Sequence, residues 1–516
     1  MLPLADRDYF TDHSILTDPY AYFEAVRARG PVYRLEGSGI VVVTGFDEVV
    51  EVLKNAHDFS SANSVQGAAT KLPFTPQGAD ITPQIEAHRT EFVGGDLLVA
   101  YDDRQHSFSR SLLNRLFTPS RLRANEEFIA KLADDMARDA AARGGCDLIR
   151  GIATPFATLV IADLLGVPAD DRQVFMDAIE AGPPPGSLNS DDLMAQNQPL
   201  VLMGMYFVQY VLARRENPTQ DVLSELANAT YPDGSTPDPL EIVRLATFLF
   251  GAGQDTSAKL LGNALRYIVE QPGLQQQLRE TPALIPQLIE EVLRLEGSAK
   301  MTSRLARRDT RIGDMEIPAG TQVMLALAAG NRDPRRWEDP DKFDTERAKA
   351  KEHLAFGRGA HVCAGAALAR VEVRVMLEKL FEHSVDIDID EAKHGPRGNR
   401  SLDYEPSFII RGLTELHLKL TPVPGAVVSR AETAARPAPA AEPAQHYSTA
   451  ETKIGTLLAH PSAKAVLDRH FPGMSADPRI SMASGMTLRM VQKFAPDGMS
   501  EAALDAADAE LAGLEA

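Results

Sequence analysis

The sequence predicts a mainly α-helical fold with small β-sheets, followed by a small C-terminal all-α segment. Three observations carry this. Apolar residues recur at helical spacing almost without a break from Ser107 to Leu295. Strand-like runs of β-branched residues are short, the clearest being Ile40-Val41-Val42-Val43-Thr44. Beyond Pro422 the chain turns to Ala, Pro and Glu over residues 428–447, which is linker composition, and apolar periodicity resumes from Thr449. The 516 residues suffice for one large domain and an appendage. The expected divisions are a main domain over 1–421, an Ala/Pro-rich linker over 422–447 and a small helical domain over 448–516.

Taken in order, Tyr9 to Gly30 reads as a helical entry. Val32-Tyr33-Arg34-Leu35 and Ile40 to Thr44, around Gly37-Ser38-Gly39, read as a hairpin. Phe46 to Lys54 has helical spacing, and Ser60 to Val99 reads as a long polar connection bearing Gly and Pro. Cys146, in Gly144-Gly145-Cys146-Asp147, fits a helix-to-strand turn and carries no function. Gly182-Pro183-Pro184-Pro185-Gly186 interrupts the helical stretch. Lys300, in Gly297-Ser298-Ala299-Lys300-Met301, either meets an acidic substrate or points outward. In the tail, Leu457, Leu458, Val466, Leu467, Phe471, Ile480, Met486, Met490, Val491, Phe494, Leu504, Leu511 and Leu514 suggest three or four short helices.

Composition narrows the function. A net charge of −19 argues against nucleic acid as a partner. Two cysteines, Cys146 and Cys363, fit a reducing compartment without disulfides. The N-terminal residues lack a signal-peptide pattern, and no uncharged apolar run reaches the length of a membrane span, so a cytoplasmic protein is expected. Arg104, Arg110, Arg115, Arg121 and Arg123 fall in a stretch without an acid. Such a patch suits steering of an acidic partner, or is a solvated face.

The densest chemistry lies in Phe356-Gly357-Arg358-Gly359-Ala360-His361-Val362-Cys363-Ala364-Gly365. Cys363 has no nearby Cys and His set for zinc. It precedes an Ala-rich helix, whose free N–H groups and dipole favour a thiolate. Flanking glycines let a large flat ligand come close. The arrangement suits a cysteine that ligates haem iron; the competing reading is a buried inert cysteine. Upstream, Glu291 and Arg294 share a helix face, and Asn331-Arg332-Asp333-Pro334 and Asp339 to Arg347 follow. Ala252-Gly253-Gln254-Asp255-Thr256-Ser257 interrupts the apolar run from Ile242 to Leu261 with groups poor in helix propensity. An alcohol there can bond a backbone carbonyl and open a small groove. His106 and Arg110 share another helix face.

Order and spacing together resemble the cytochrome P450 family in its soluble bacterial form, whose haem loop reads F-G-x-G-x-H-x-C-x-G. The resemblance covers roughly residues 10–421 and implies the P450 fold. It implies haem b (iron protoporphyrin IX) as cofactor, with Cys363 as the axial iron ligand in a loop shaped by Phe356 and Gly365. His106, Arg110, Arg304 and His361 would hold the propionates. Asp255 and Thr256 would feed protons to bound dioxygen, while Glu291, Arg294 and Arg347 would form a structural ion cluster. Leu97, Leu98, Ala252, Ala299 and Met301 would line the substrate pocket, the 60–99 connection would cover it, and Gly182 to Gly186 would be its mobile lid.

The implied activity is hydroxylation of an apolar small molecule: a terpenoid, steroid, alkyl or aromatic compound. Electrons would come from an external ferredoxin and ferredoxin reductase docking on Arg104, Arg115, Arg121 and Arg123. A peroxide-driven peroxygenase and a non-catalytic haem-based sensor are the alternatives, and the Asp255–Thr256 pair counts against both. The tail is an addition to the family pattern. Without a cysteine or a Gly-rich dinucleotide turn it is not an electron-carrier domain. Partner docking, self-association or a passive cap remains for it, and His446, His460 and His470 lack metal-ligand spacing.

Overall fold

The computed structural model describes residues 2–181, 190–424, 447–450, 452, 454–476, 487–492 and 499–514. The chain divides into two compact units, Met1–Val428 and Ser429–Ala516.

The first unit is organised around one long helix, Pro239–Glu270. Its start follows from the local sequence: the Asp238 carboxylate accepts the Leu240 N–H at 2.7 Å, and Pro239 needs no partner in the first turn. This helix packs against the helices Thr154–Leu164, Ser190–Glu216 and Ile285–Glu296, while Ala366–His383 packs against Pro119–Ala142. Phe46–Lys54 is helical as its spacing predicts.

The predicted hairpin forms, Val32–Arg34 pairing antiparallel with Val41–Val43. It belongs to a five-stranded sheet that continues through Gln322–Leu325 and Thr302–Ala306 to Phe59–Ser60. Alternation across the pleat splits the core in two. Val42 and Met324 pack with Tyr9, Ile15 and Phe23 on one face; Val41, Val43, Val323 and Leu325 pack with Phe46, Val49 and Trp337 on the other. A three-stranded sheet places Cys146, in strand Gly145–Asp147, opposite Leu418 of His417–Pro422; the expected turn is a short edge strand.

The 60–99 segment is more ordered than its polar composition suggests. It contains the helix Thr82–Ala87, and Ile81, Ile85 and Phe92 form a small core with Ala62 and Leu305. The Ile81 N–H donates to the Arg307 carbonyl at 2.8 Å, which ties this core to the sheet. The Gly182 to Gly186 stretch lies outside the described residues.

In the second unit the described helices are Ile454–Ala459, Pro461–His470, Leu488–Gln492 and Glu501–Leu511. Ile454, Leu457, Leu467, Leu488, Leu504 and Leu511 are buried among them. His460 caps a helix by accepting the Ala463 N–H, and His470 Nε2 sits 2.9 Å from Glu510. His446, Ile480, Met486 and Phe494 lie outside the described residues. No helix of the described residues is long and apolar enough to cross a membrane.

Candidate active site

The Phe356–Gly365 segment closes on itself through a bond from the Cys363 N–H to the Phe356 carbonyl at 2.9 Å. Gly357 and Gly359 have φ of 66° and 73°, a region that suits glycine. At 359 the need is double, because a Cβ would collide with the Leu53 carbonyl. The loop thereby delivers Cys363 to the start of the helix Ala366–His383. Burial pushes the thiol's pKa up, while the Gly365 and Ala366 N–H groups, Arg110 and Arg370 act the other way. Cys363 lines a cavity of about 360 Å³ and is accessible there.

Around that cavity stand Phe356, His361, Gly365, His106, Arg110 and Arg304. The two imidazoles lie close, with ring centroids 4.0 Å apart. His361 is pushed down to about 2 by burial and then by Arg304, His106 and Arg110. Arg304 is buried and lowered to about 10 by that burial; among the described residues it bonds neutral oxygens alone, the Ser303 carbonyl at 2.7 Å and the hydroxyls of Ser64 at 3.2 Å and Thr302 at 3.4 Å. The Arg110 guanidinium reaches the Val362 carbonyl at 2.6 Å, and the buried His106 Nε2 has no hydrogen-bond partner. Among the described residues no carboxylate pairs with any of these four groups. The buried His106 and Arg304 and the half-buried Arg110 and His361, set around one space without a carboxylate partner among the described residues, fit a ligand that brings its own carboxylates.

The opposite wall is apolar. Leu98, Val99, Ala252, Ala299 and Met301 line it, joined by Phe248, Leu249 and Ile409, which sequence reasoning did not single out. Leu97 is not in the lining: the turn Leu98–Ala100 faces Leu98 and Val99 inward instead. Thr256 lines the cavity and donates its hydroxyl to the Ala252 carbonyl at 2.9 Å. Asp255 does not line it; its carboxylate is paired with Lys259. Lys300 takes neither expected course. It is buried, its ammonium on the Leu16 carbonyl, because extended chain turns it away from its neighbours Ala299 and Met301.

Three further residues escaped the sequence reading. Asp102, held by Ser60 at 2.5 Å and by Arg89 at 2.9 Å, also accepts the Ser61 N–H at 2.9 Å. The Ser61 hydroxyl then sits 3.0 Å from His361 Nε2. Glu372 also lines the cavity, its pKa raised to about 7 by burial with Ser257 acting against it.

On the helix Ile285–Glu296, Glu291 and Arg294 are both fully buried. Arg294 grips Glu291 through two bonds, at 2.8 and 2.7 Å, and donates to the Asn331 carbonyl at 2.9 Å. Arg347 adds a third bond to Glu291 at 3.0 Å. The arginine-rich stretch is less bare than its local sequence suggests: Arg104 pairs with Asp233 at 3.0 Å, Arg121 pairs with Glu225, and Arg115 donates to the Thr230 carbonyl.

Residues 283–391, which hold the Glu291–Arg294 pair and the cysteine loop, match the family model of cytochrome P450. Cytochrome P450 144 of Mycobacterium tuberculosis is 30% identical over 80% of this chain and 91% of its own length. The chain belongs to the cytochrome P450 family. Cytochrome P450 monooxygenase PikC of Streptomyces venezuelae is 31% identical over 78% of this chain and 91% of its own length. The substrate-free structure of Mycobacterium marinum cytochrome P450 CYP150A6 superposes with a TM-score of 0.77 at 46% identity, covering 82% of this chain and all of that one. As a P450 monooxygenase the protein binds haem through a cysteine thiolate, and the carboxylate-seeking cluster beside Cys363 fits the propionates of that cofactor.

Proposed function

We propose that this P450 hydroxylates a neutral, apolar small molecule using dioxygen and electrons from an external ferredoxin and its reductase. One observation carries the reading: a cavity with Cys363 and the Arg110, Arg304, His106 and His361 cluster, without carboxylate partners among the described residues, on one side and an apolar wall with Thr256 on the other. Haem bound there supplies the activation of dioxygen, of which one atom enters the substrate and the other leaves as water, with two electrons and two protons consumed.

The chain's own residues supply the rest. Cys363 is the iron ligand, and the Gly365 and Ala366 N–H groups stabilise its thiolate against the cost of burial. His106, Arg110, Arg304 and His361 hold the propionates, with Ser61 orienting His361. Phe356 and Gly365 shape the loop, and Glu291, Arg294 and Arg347 brace it from behind. Thr256 keeps its hydroxyl at the Ala252 carbonyl, and Asp255 beside it receives protons for that hydroxyl to pass on. Leu98, Val99, Phe248, Leu249, Ala299 and Met301 exclude water and favour a ligand without charge, since Lys300 faces away from it. Terpenoid, steroid, alkyl and aromatic compounds all meet that description.

The ferredoxin docks on the Arg104, Arg115, Arg121 and Arg123 face, where Asp233 and Glu225 moderate the charge. A cytoplasmic location agrees with two unpaired cysteines. The 448–516 helical domain beyond the 422–447 linker serves docking or self-association.

Optical titration of the ferric protein with a panel of neutral apolar compounds tests this. A shift from low to high spin with one class names the substrate class. Turnover of that compound with NADH and a surrogate ferredoxin system then supports the monooxygenase. Turnover with peroxide alone, or with neither oxidant, overturns it in favour of a peroxygenase or a sensor.

A further inference from the structure

Asp255 and Glu405 share one buried lysine. Lys259 lies one turn after Asp255 on the helix Pro239–Glu270 and is 5% exposed. Its ammonium pairs with the Asp255 carboxylate and, at 2.9 Å, with Glu405 Oε2. Glu405 is itself buried, and its N–H is tied to the Gly412 carbonyl at 3.0 Å. Gly412 also makes room for the lysine: a Cβ there would collide with the Lys259 methylenes. The side chain is therefore fixed at both ends, its stem against a glycine and its head between two acids.

The charges around this ammonium are unequal. Burial works against the Lys259 cation, but Asp255 and Glu405 outweigh it and keep the pKa above that of a free lysine. Burial pushes Glu405 up, Lys259 pulls it down and Asp255 pushes it up again, with Lys300 a weaker pull downward from the other side. Two carboxylates compete for one donor head, so what Glu405 takes of the ammonium is lost to Asp255.

We propose that Lys259 and Glu405 are positioning residues for Asp255: the ammonium, anchored on Glu405, fixes the carboxylate beside the Ala252–Thr256 groove and sets how readily it turns away. This rests on the proton-delivering role proposed for Asp255. The anchor is not local. It joins the long helix to the 403–413 segment, so a change in either moves a group one residue from Thr256.

The test uses the full-length holoenzyme and Asp255→Asn, Lys259→Met and Glu405→Gln. The first readout is the infrared stretch of carbon monoxide bound to the reduced protein, which senses polar groups facing the ligand. Asp255→Asn moves the band. Lys259→Met frees the carboxylate and Glu405→Gln surrenders the whole ammonium to it, so these two move the band in opposite directions. An unmoved band in both, or shifts of the same sign, overturns the proposal. So does an unmoved band in Asp255→Asn, which would mean that Asp255 does not act on the ligand side.

The second readout is NADH oxidation under air with a surrogate ferredoxin system. It slows severalfold in Asp255→Asn. A wild-type rate there, with the opposed band shifts intact, overturns proton delivery by Asp255 and leaves its positioning standing. Glu405→Gln keeps the side chain's size and decides the matter should Lys259→Met not accumulate.

Discussion

Lys300 places its ammonium 2.5 Å from the carbonyl oxygen of Leu16, inside the protein and beneath the wall that Ala299 and Met301 present to the cavity. Burial first, then repulsion from Arg411, lowers its pKa from 10.5 to about 7, against the pull of Glu405, Asp18 and Glu296. Between those two values the unfolded chain binds more protons than the folded one, so this lysine makes stability rise with pH. The slope is at most about 1.4 kcal/mol per pH unit. Thermal unfolding of the holoenzyme from pH 7 to 10 reads it: wild type gains on Lys300→Met as pH rises. Parallel curves would refute it.

Arg294 is fully buried against Glu291, with Arg347 as the only other cation bonded to that carboxylate among the described residues. Arg294→Leu leaves the acid under-compensated, a change that costs about 3–5 kcal/mol when one partner of a buried pair is removed. Unfolding and haem content of the purified protein measure it. Arg294→Lys should recover little, because one ammonium cannot reproduce the two bonds to Glu291 and those to the Asn331 and Pro340 carbonyls. Full stability in the lysine variant would show that charge alone suffices.

Arg304 has no carboxylate partner among the described residues, although it is buried at the cavity edge. A propionate there would gain about 1.5–3 kcal/mol from a charged donor, so Arg304→Leu should speed haem release to apomyoglobin roughly tenfold to a hundredfold. Ser61→Ala acts only through His361 and should give a smaller increase. An unchanged release rate in Arg304→Leu would remove it from the propionate set.

The cysteine loop was legible because its chemistry is contiguous: positive φ at Gly357 and Gly359, the closing bond to Phe356 and the helix start all fall between Phe356 and Ala366. Glu291–Arg294 was legible for the same reason, one helix turn holding both. Leu97 and Lys300 were misread through side-chain direction. In extended chain alternate residues face opposite ways, so Ala299 and Met301 on the cavity imply Lys300 off it, a period-2 signal present in the sequence. Other relationships had no local signal. Asp233 and Glu225 approach Arg104 and Arg121 from a distant segment, and Ser61 meets His361 across the whole domain. Such pairs follow from chain crossing, which no window of sequence contains.

Gly412 gives the last of these distant relationships a sharp consequence. It has no catalytic group and does not line the cavity. A methyl at this position would nonetheless strike the Lys259 stem along its length, from Cβ to Cδ, where the lysine is hemmed in and has no free end to yield. Overpacking of this kind costs about 1–3 kcal/mol. Gly412→Ala should therefore lower the unfolding temperature and, by displacing the ammonium, also move the carbon monoxide band in the direction of Lys259→Met. A purely structural glycine would give the first effect without the second. Adding Lys259→Ala to Gly412→Ala should restore stability relative to the sum of the single changes, because the methyl then fills space the shortened side chain leaves.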